Sequence, residues 1–335
     1  MKSVRAAVFR APQQPLAFEC LPVPELAEGE LMVRILATTI CASDLHTYFG
    51  RRPAPAPSIL GHEIVGEVIA SRRQDFGPGQ RITWSMVWSC GACTACSRGL
   101  RPKCEKLFKF GHAALDAAPL SGGLAEMCVL PLGTHVFPVP AAIPDTLAAT
   151  ANCAIATVMA AIRRAPQIEG RRVFVQGLGM LGLTACAAAS VSGAAQVYAF
   201  DLNPRRLGLA ADFGATPVQG PVAADLVFDF TGHPAAIESA VSVAAPGCHF
   251  LLIGSVFPQR PLALDAQHLV KQLLTVSGVQ NYNPEDLESA LHFLQAQQSR
   301  YPFAALVERT FPLSEATAAF EFAEHKTPVR VAILP

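Results

Sequence analysis

Arg172-Val173-Phe174-Val175-Gln176-Gly177-Leu178-Gly179-Met180-Leu181-Gly182 is the stretch whose reading decides the fold. An apolar, β-branched run enters a G-x-G-x-x-G turn and an Ala-rich segment follows, the strand-turn-helix context that gives the glycine pattern meaning. Gly177 makes the tight turn, Gly179 lets the backbone approach a pyrophosphate, and Gly182 permits close packing of helix on strand. Leu178, Met180 and Leu181 complete the turn, and the helix N-terminus offers amide donors to phosphate. Further on, Phe200-Asp201 ends the next strand, where an acidic side chain would accept from a ribose 2′-hydroxyl and repel a 2′-phosphate. NAD is the expected cofactor. Arg205 and Arg206 complicate this, since a guanidinium there could take a 2′-phosphate or cover the adenine, or simply belong to a solvated helix start.

Strand and helix patterns alternate outward from this segment, with strands expected at Val173–Gln176, Gln196–Phe200, Leu226–Asp229, His249–Ile253 and Leu274–Val279. That alternation implies an α/β, doubly wound parallel sheet. Before it, from Val4 to about Leu132, short β-segments separated by Pro- and Gly-rich turns read as an irregular β-rich domain. After it come a helix near Pro284–Gln297 and a β-like tail, Val329-Arg330-Val331-Ala332-Ile333-Leu334, which could return to the first domain. A chain of 335 residues exceeds one ordinary core. The expected division is 1–150 with 283–335, and 151–282.

Lys+Arg 26 balance Asp+Glu 26, so no global field attracts a nucleic acid. The start Met1-Lys2-Ser3-Val4-Arg5-Ala6-Ala7-Val8-Phe9 is interrupted too soon by Arg10 and Pro12 to be a secretory leader. The apolar stretches around Ala185 and Leu251 fall short of a membrane span. A cytoplasmic protein without nucleic-acid or membrane partners is expected.

Four of the 10 cysteines, Cys90, Cys93, Cys96 and Cys104, form C-x2-C-x2-C-x7-C. Four thiolates on one Gly-containing loop can surround a zinc tetrahedrally and leave no position for a substrate, so this site is read as structural. The spacing alone also admits an iron-sulfur cluster. Cys41, His62 and Cys153 come from separate segments, and two sulfurs with one imidazole make a three-ligand zinc with a vacant position. Singly, each has an ordinary reading as a core or helix-packing residue. Their coincidence with the four-cysteine run and the glycine turn reverses the odds.

With these features together, the whole chain resembles the medium-chain, zinc-containing alcohol dehydrogenases. The resemblance implies a GroES-like catalytic domain beside a Rossmann domain, two Zn2+ per chain, NAD, a small alcohol or aldehyde substrate, and a homodimer or homotetramer. It implies Cys41, His62 and Cys153 as catalytic zinc ligands, Glu63 as a carboxylate near the metal, Asp44 orienting the histidine, Ser43 passing the alcohol proton onward and His46 ending that relay. Thr157 is implied beside the nicotinamide, and Arg206, Thr231, Gly254, Ser255 and Val279 along the cofactor. Polyol dehydrogenases of the superfamily commonly show a glutamate where Cys153 stands, which weakens a polyol substrate.

Closer still, Ile64-Val65-Gly66-Glu67-Val68, Lys109-Phe110-Gly111-His112, Ser121-Gly122-Gly123, Gly254-Ser255-Val256-Phe257-Pro258 and Gly278-Val279-Gln280-Asn281-Tyr282 resemble the subgroup found with phosphonate-catabolism genes. Arg52, on the loop between Cys41 and His62, could pair with a phosphonate or carboxylate through its planar fork, or be a solvated charge on a Pro-rich turn. Lys109 and His112 are weaker candidates. The competing readings are a zinc-dependent dehydrogenase of a neutral alcohol or polyol, a zinc-free reductase on the same fold, which the Cys41-His62-Cys153 set opposes, and a non-catalytic dinucleotide-binding protein.

Overall fold

The computed structural model describes residues 3–335, so Met1 and Lys2 of the leader argument lie outside the described residues. The chain divides into two compact units. The first holds everything described up to Ala156 together with Tyr282–Gln298 and Phe303–Pro335; the second is Thr157–Asn281 with Ser299–Pro302.

The first unit is organised by the strand Leu31–Thr39, which is buried along almost its whole length because Leu-Met-Val-Arg-Ile-Leu-Ala offers apolar side chains to both faces. It pairs antiparallel with Glu63–Ser71, Met127–Leu130 and the C-terminal strand Arg330–Leu334. Two register shifts interrupt the pairing with Glu63–Ser71, between Met32 and Val33 and between Ile35 and Ala37. Beyond them Thr39 stands opposite Glu63, and Thr39 also faces Ala332. Leu31, Val33, Ile64, Val68, Trp84 and Phe110 pack one core of this unit, and Val8, Ile59, Phe320 and Ile333 belong to another.

The β-segment reading misses two short helices here, Ala42–Tyr48 and Thr94–Ser97. The first is started by a local hydrogen bond rather than by an apolar period: the Asp44 carboxylate accepts from the Cys41 amide at 2.9 Å. Seven and four residues are too few for a helical repeat to be recognised in sequence.

In the second unit the six strands are all parallel, in the order Thr216–Pro217, Gln196–Phe200, Arg172–Gln176, Leu226–Asp229, His249–Leu252, Thr275–Gly278. This is the Rossmann-type doubly wound sheet; strand order reverses at Arg172–Gln176, so the loops following it and Leu226–Asp229 flank the switch point where such sheets bind ligands. The two-residue edge strand Thr216–Pro217 was too short to carry a period and is absent from the sequence reading. One helical run among the described residues, Asp145–Arg164, is long and apolar enough by composition to cross a membrane, and 78% of its apolar window is buried inside the protein. It is not one of the stretches weighed above, around Ala185 and Leu251.

Candidate metal centre and dinucleotide turn

The pairing of Thr39 with Glu63 explains why two donors meet. Cys41 lies two residues past the end of one strand and His62 one residue before the start of its neighbour, so the register sets them side by side. Cys153 arrives on a π-helical turn, Ala151–Ile155. Asn152 moors that turn: its Oδ1 accepts from the Ile64 amide at 3.2 Å and its Nδ2 donates to the Trp84 carbonyl at 3.0 Å. The Tyr282 hydroxyl donates to the Asn152 carbonyl and accepts from the Met86 amide. A π turn inserted into a helix is a frequent mark of a functional position. The donor atoms of Cys41, His62 and Cys153 all lie within 4.8 Å of one another.

The surroundings stabilise positive charge at that point. His62 Nδ1 sits 3.1 Å from Asp44 Oδ1, which leaves Nε2 as the donor atom for a metal. Burial works against the imidazolium, yet Asp44 and Cys41 together raise the His62 pKa to about 10. The hydrogen bond from Cys153 lowers the Cys41 pKa well below that of an ordinary thiol, and the same sharing of one proton raises that of Cys153. A cation placed between two sulfurs and an imidazole would replace the shared proton, and the donor set fits zinc with three protein ligands.

Glu63 is fully buried, but it is committed elsewhere: Arg330 Nη2 meets its Oε1 at 2.9 Å and the Thr39 hydroxyl donates to its other oxygen. Burial pushes its carboxyl up to about 7 against the pull of Arg330. Arg330, Asn152, Thr39 and Tyr282 are the supporting residues that sequence reasoning missed. Only the basic residue inside the apolar C-terminal strand could have drawn notice.

Ser43 Oγ lies 3.3 Å from His62 Nε2. Ser43 and His46, three residues apart on the helix Ala42–Tyr48, share a face. Burial, and then the Arg51 charge, hold the His46 imidazole below its ordinary pKa. Of the tandem arginines, Arg51 is engaged by Glu324 at 2.7 and 2.8 Å. The Arg52 amide donates to the His46 carbonyl, which ties this loop to the end of the same helix.

Cys90, Cys93, Cys96 and Cys104 also lie with their sulfurs within 4.8 Å of one another, and all are free thiols. The Cys90–Cys104 and Cys93–Cys104 sulfur separations of 3.5 and 4.0 Å bracket the about 3.8 Å edge of a tetrahedral ZnS4 site built from 2.3 Å bonds. Backbone amides of Cys90 and Lys106 donate to Cys104 Sγ, and amides at Glu105 and Cys96 bring the Cys93 pKa down to about 6. These are thiolate-stabilising contacts, and the set fits a closed metal site.

In the second unit Gly177 has φ +88°. A Cβ on Gly182 would lie 1.9 Å from the Gly177 carbonyl oxygen, whereas one on Gly179 would meet nothing within 4 Å. Gly182 is thus required by packing, and Gly179 faces open space at the start of the helix Met180–Val191, as a phosphate cradle requires. Leu178 and Met180 are buried. The Asp201 carboxylate accepts from the Leu178 amide at 2.6 Å and the Asn203 amide at 2.7 Å, bonds that tie the turn to the next strand and leave lone pairs over. Thr231 follows the neighbouring strand and touches Gly177, and its hydroxyl donates to Asp229 at 2.6 Å. Gly254 packs against Gly232, Ser255 is exposed, and Val279 and Thr157 are buried. Arg206 is half-buried on the short helix Pro204–Gly208.

Two families match this chain: the alcohol dehydrogenase GroES-like domain over residues 27–141 and zinc-binding dehydrogenase over residues 181–296. A probable zinc-binding alcohol dehydrogenase of Mycobacterium tuberculosis is 30% identical over 315 residues, 89% of this chain and 79% of that protein. L-threonine 3-dehydrogenase of Bacillus licheniformis is 28% identical over 98% of each chain. Among solved structures, an alcohol dehydrogenase of Thermotoga maritima superposes with a TM-score of 0.94 at 25% identity, covering 100% of both chains.

Proposed function

We propose that this chain, which belongs to the zinc-binding medium-chain alcohol dehydrogenase family, is an oxidoreductase that uses NAD to oxidise a small alcohol, or in reverse to reduce the matching aldehyde or ketone. The observation that carries the reading is the convergence of Cys41, His62 and Cys153 at metal-ligand separation, with no fourth Cys, His, Asp or Glu donor in the set among the described residues. These three residues would hold a zinc with a position left for substrate, and Cys90, Cys93, Cys96 and Cys104 would hold a second zinc that keeps their lobe folded. When bound, the first zinc supplies Lewis acidity that lowers the pKa of an alcohol hydroxyl. NAD supplies the hydride acceptor.

The protein's own groups do the rest. Asp44 fixes the tautomer and orientation of His62. Ser43 takes the hydroxyl proton and passes it toward His46, whose lowered pKa keeps the imidazole neutral and able to accept it. Arg330 and Thr39 occupy both oxygens of Glu63. Gly177, Gly179 and the amides opening the helix at Met180 receive the pyrophosphate, and Asp201 the adenosine ribose. Acidity at residue 201 supports NAD over NADP.

The motif resemblance to the phosphonate-associated subgroup supports a substrate bearing an anionic group; a neutral alcohol or polyol is the other reading within the family. The parallel edge strand Thr275–Gly278 has one unpaired side and supports a homodimer or homotetramer. The test is a screen of NAD reduction over small alcohols with zinc counted on the same sample. Zinc-dependent turnover supports the proposal; NADH binding without turnover of any alcohol overturns it.

A further inference from the structure

Two cations stand beside the three-donor site without an acceptor of their own. Among the described residues, the side chains of Lys109 and Arg52 have no hydrogen-bond or ion-pair partner, in contrast to Arg51, which Glu324 occupies, and Arg330, which Glu63 occupies. Lys109 is not on a free surface loop. It lies on the short strand Phe108–Lys109, paired with Val87–Trp88. The adjoining Gly111 has φ +71° and packs so tightly that a Cβ there would lie 2.4 Å from the Gly61 carbonyl oxygen. This close approach of backbones pins the Lys109–His112 segment against Gly61-His62, and the His112 and His62 rings come within 5.2 Å.

The ammonium of Lys109 is within electrostatic reach of Cys153, Arg52, Cys41 and Asp44, and burial lowers its pKa. Among the described residues no carboxylate is paired directly with it. A divalent zinc held there would offset the two thiolates. Asp44 already serves His62 and the amides of Cys41 and Gly61, and Glu63 serves Arg330 and Thr39. The His112 Nδ1 donates to the Phe110 carbonyl at 2.9 Å, which fixes the ring on that segment. A half-buried ammonium with a guanidinium nearby and no directly paired carboxylate is an arrangement that an incoming anion would stabilise.

We propose that Lys109, with Arg52 beside it, forms the anion-binding end of the substrate site, so that the alcohol oxidised here carries a phosphonate, phosphate or carboxylate on the chain that bears its hydroxyl. This rests on the metal-site reading above and deepens it by naming the substrate class. It also moves the principal anchor from Arg52, the residue favoured by sequence, to Lys109.

The experiment compares 3-hydroxypropylphosphonate, 4-hydroxybutanoate and 1-butanol with wild type, Lys109→Met, Lys109→Arg and Arg52→Gln. It uses steady-state kinetics and, independently of turnover, calorimetric binding of the phosphonate. The expected kcat/KM for the better anionic alcohol exceeds that for 1-butanol by about ten- to a hundred-fold, the worth of a charge-assisted hydrogen bond. Lys109→Met should reduce that ratio by about tenfold or more, chiefly through KM, and weaken binding in step, while Lys109→Arg restores most of both. Arg52→Gln should give a smaller loss and serves as the second variant should Lys109→Met fail to fold. Preference for the phosphonate assigns a dianionic group, and preference for the butanoate assigns a carboxylate. Zinc-dependent turnover of 1-butanol with no anionic advantage, or a ratio unmoved in both variants, overturns this inference and leaves the dehydrogenase reading standing. Phosphonate binding lost in Lys109→Met, with no alcohol turned over, keeps the anion site and overturns the dehydrogenase reading instead.

Discussion

Two groups of cysteines in one unit of this protein use the same sulfur chemistry in opposite ways. Cys90, Cys93, Cys96 and Cys104 fall within a single short run, and neighbouring backbone amides donate to the sulfurs of Cys90, Cys93 and Cys104. Cys41 and Cys153 are brought together with His62 from three distant segments and depend on residues as remote as Tyr282 and Arg330. A local loop can close around a metal with its own ligands, which fills every corner; a site assembled by strand register and a moored helix can stop at three donors and keep a corner open. The difference teaches that closure belongs to the loop, and openness to the fold.

The comparison predicts separable losses. Cys153→Ala should halve the zinc content and reduce kcat/KM by at least about a thousand-fold, since several kcal/mol of charge stabilisation depend on the metal. Zinc analysis beside kinetics checks this, and unchanged zinc with unchanged turnover would dissolve the contrast. Arg330→Met leaves Glu63 buried without its partner, and denaturant unfolding should show a loss of about 3–5 kcal/mol. A loss near zero would mean that the fold does not support the open site through this pair. Asp44→Asn should weaken metal affinity or activity by about 10–100-fold, read from competition with a chelator. The smallest effect on chemistry is expected from Cys104→Ala. It should empty the lobe and lower Tm, yet reduce kcat/KM for each remaining zinc by no more than about tenfold, because a four-sulfur site has no position for a substrate.

The same contrast explains what the sequence could reveal. The glycine turn and the four-cysteine run were legible because each is specified by neighbours along the chain: a left-handed Gly177, a Gly182 with no room for a side chain, and four thiols on one loop. The helix Pro284–Gln297 was legible with its bounds because Pro follows the capping Asn283 and its apolar residues recur with helical period. Cys41, His62 and Cys153 could be nominated only together, through their coincidence with the four-cysteine run and the glycine turn, because what joins them is the Thr39–Glu63 register and the Asn152 mooring, neither of which is a local pattern. Arg330 stood out only as a basic residue inside an apolar strand, and the mooring role of Tyr282 had no local signal for the same reason. Lys109 was underrated because a lysine near a turn reads as solvated, and only the press of Gly111 against Gly61 shows that it is held beside the site.

Crystals of the zinc-loaded protein, with anomalous scattering measured on both sides of the zinc edge, test the account most directly. The result expected is two peaks per chain, one inside the cysteine lobe and one about 2.3 Å from the sulfurs of Cys41 and Cys153 and about 2.0–2.1 Å from His62 Nε2, with a fourth position not taken by protein. A peak in the lobe alone, or a second peak whose fourth ligand is a side chain of this protein, would contradict it.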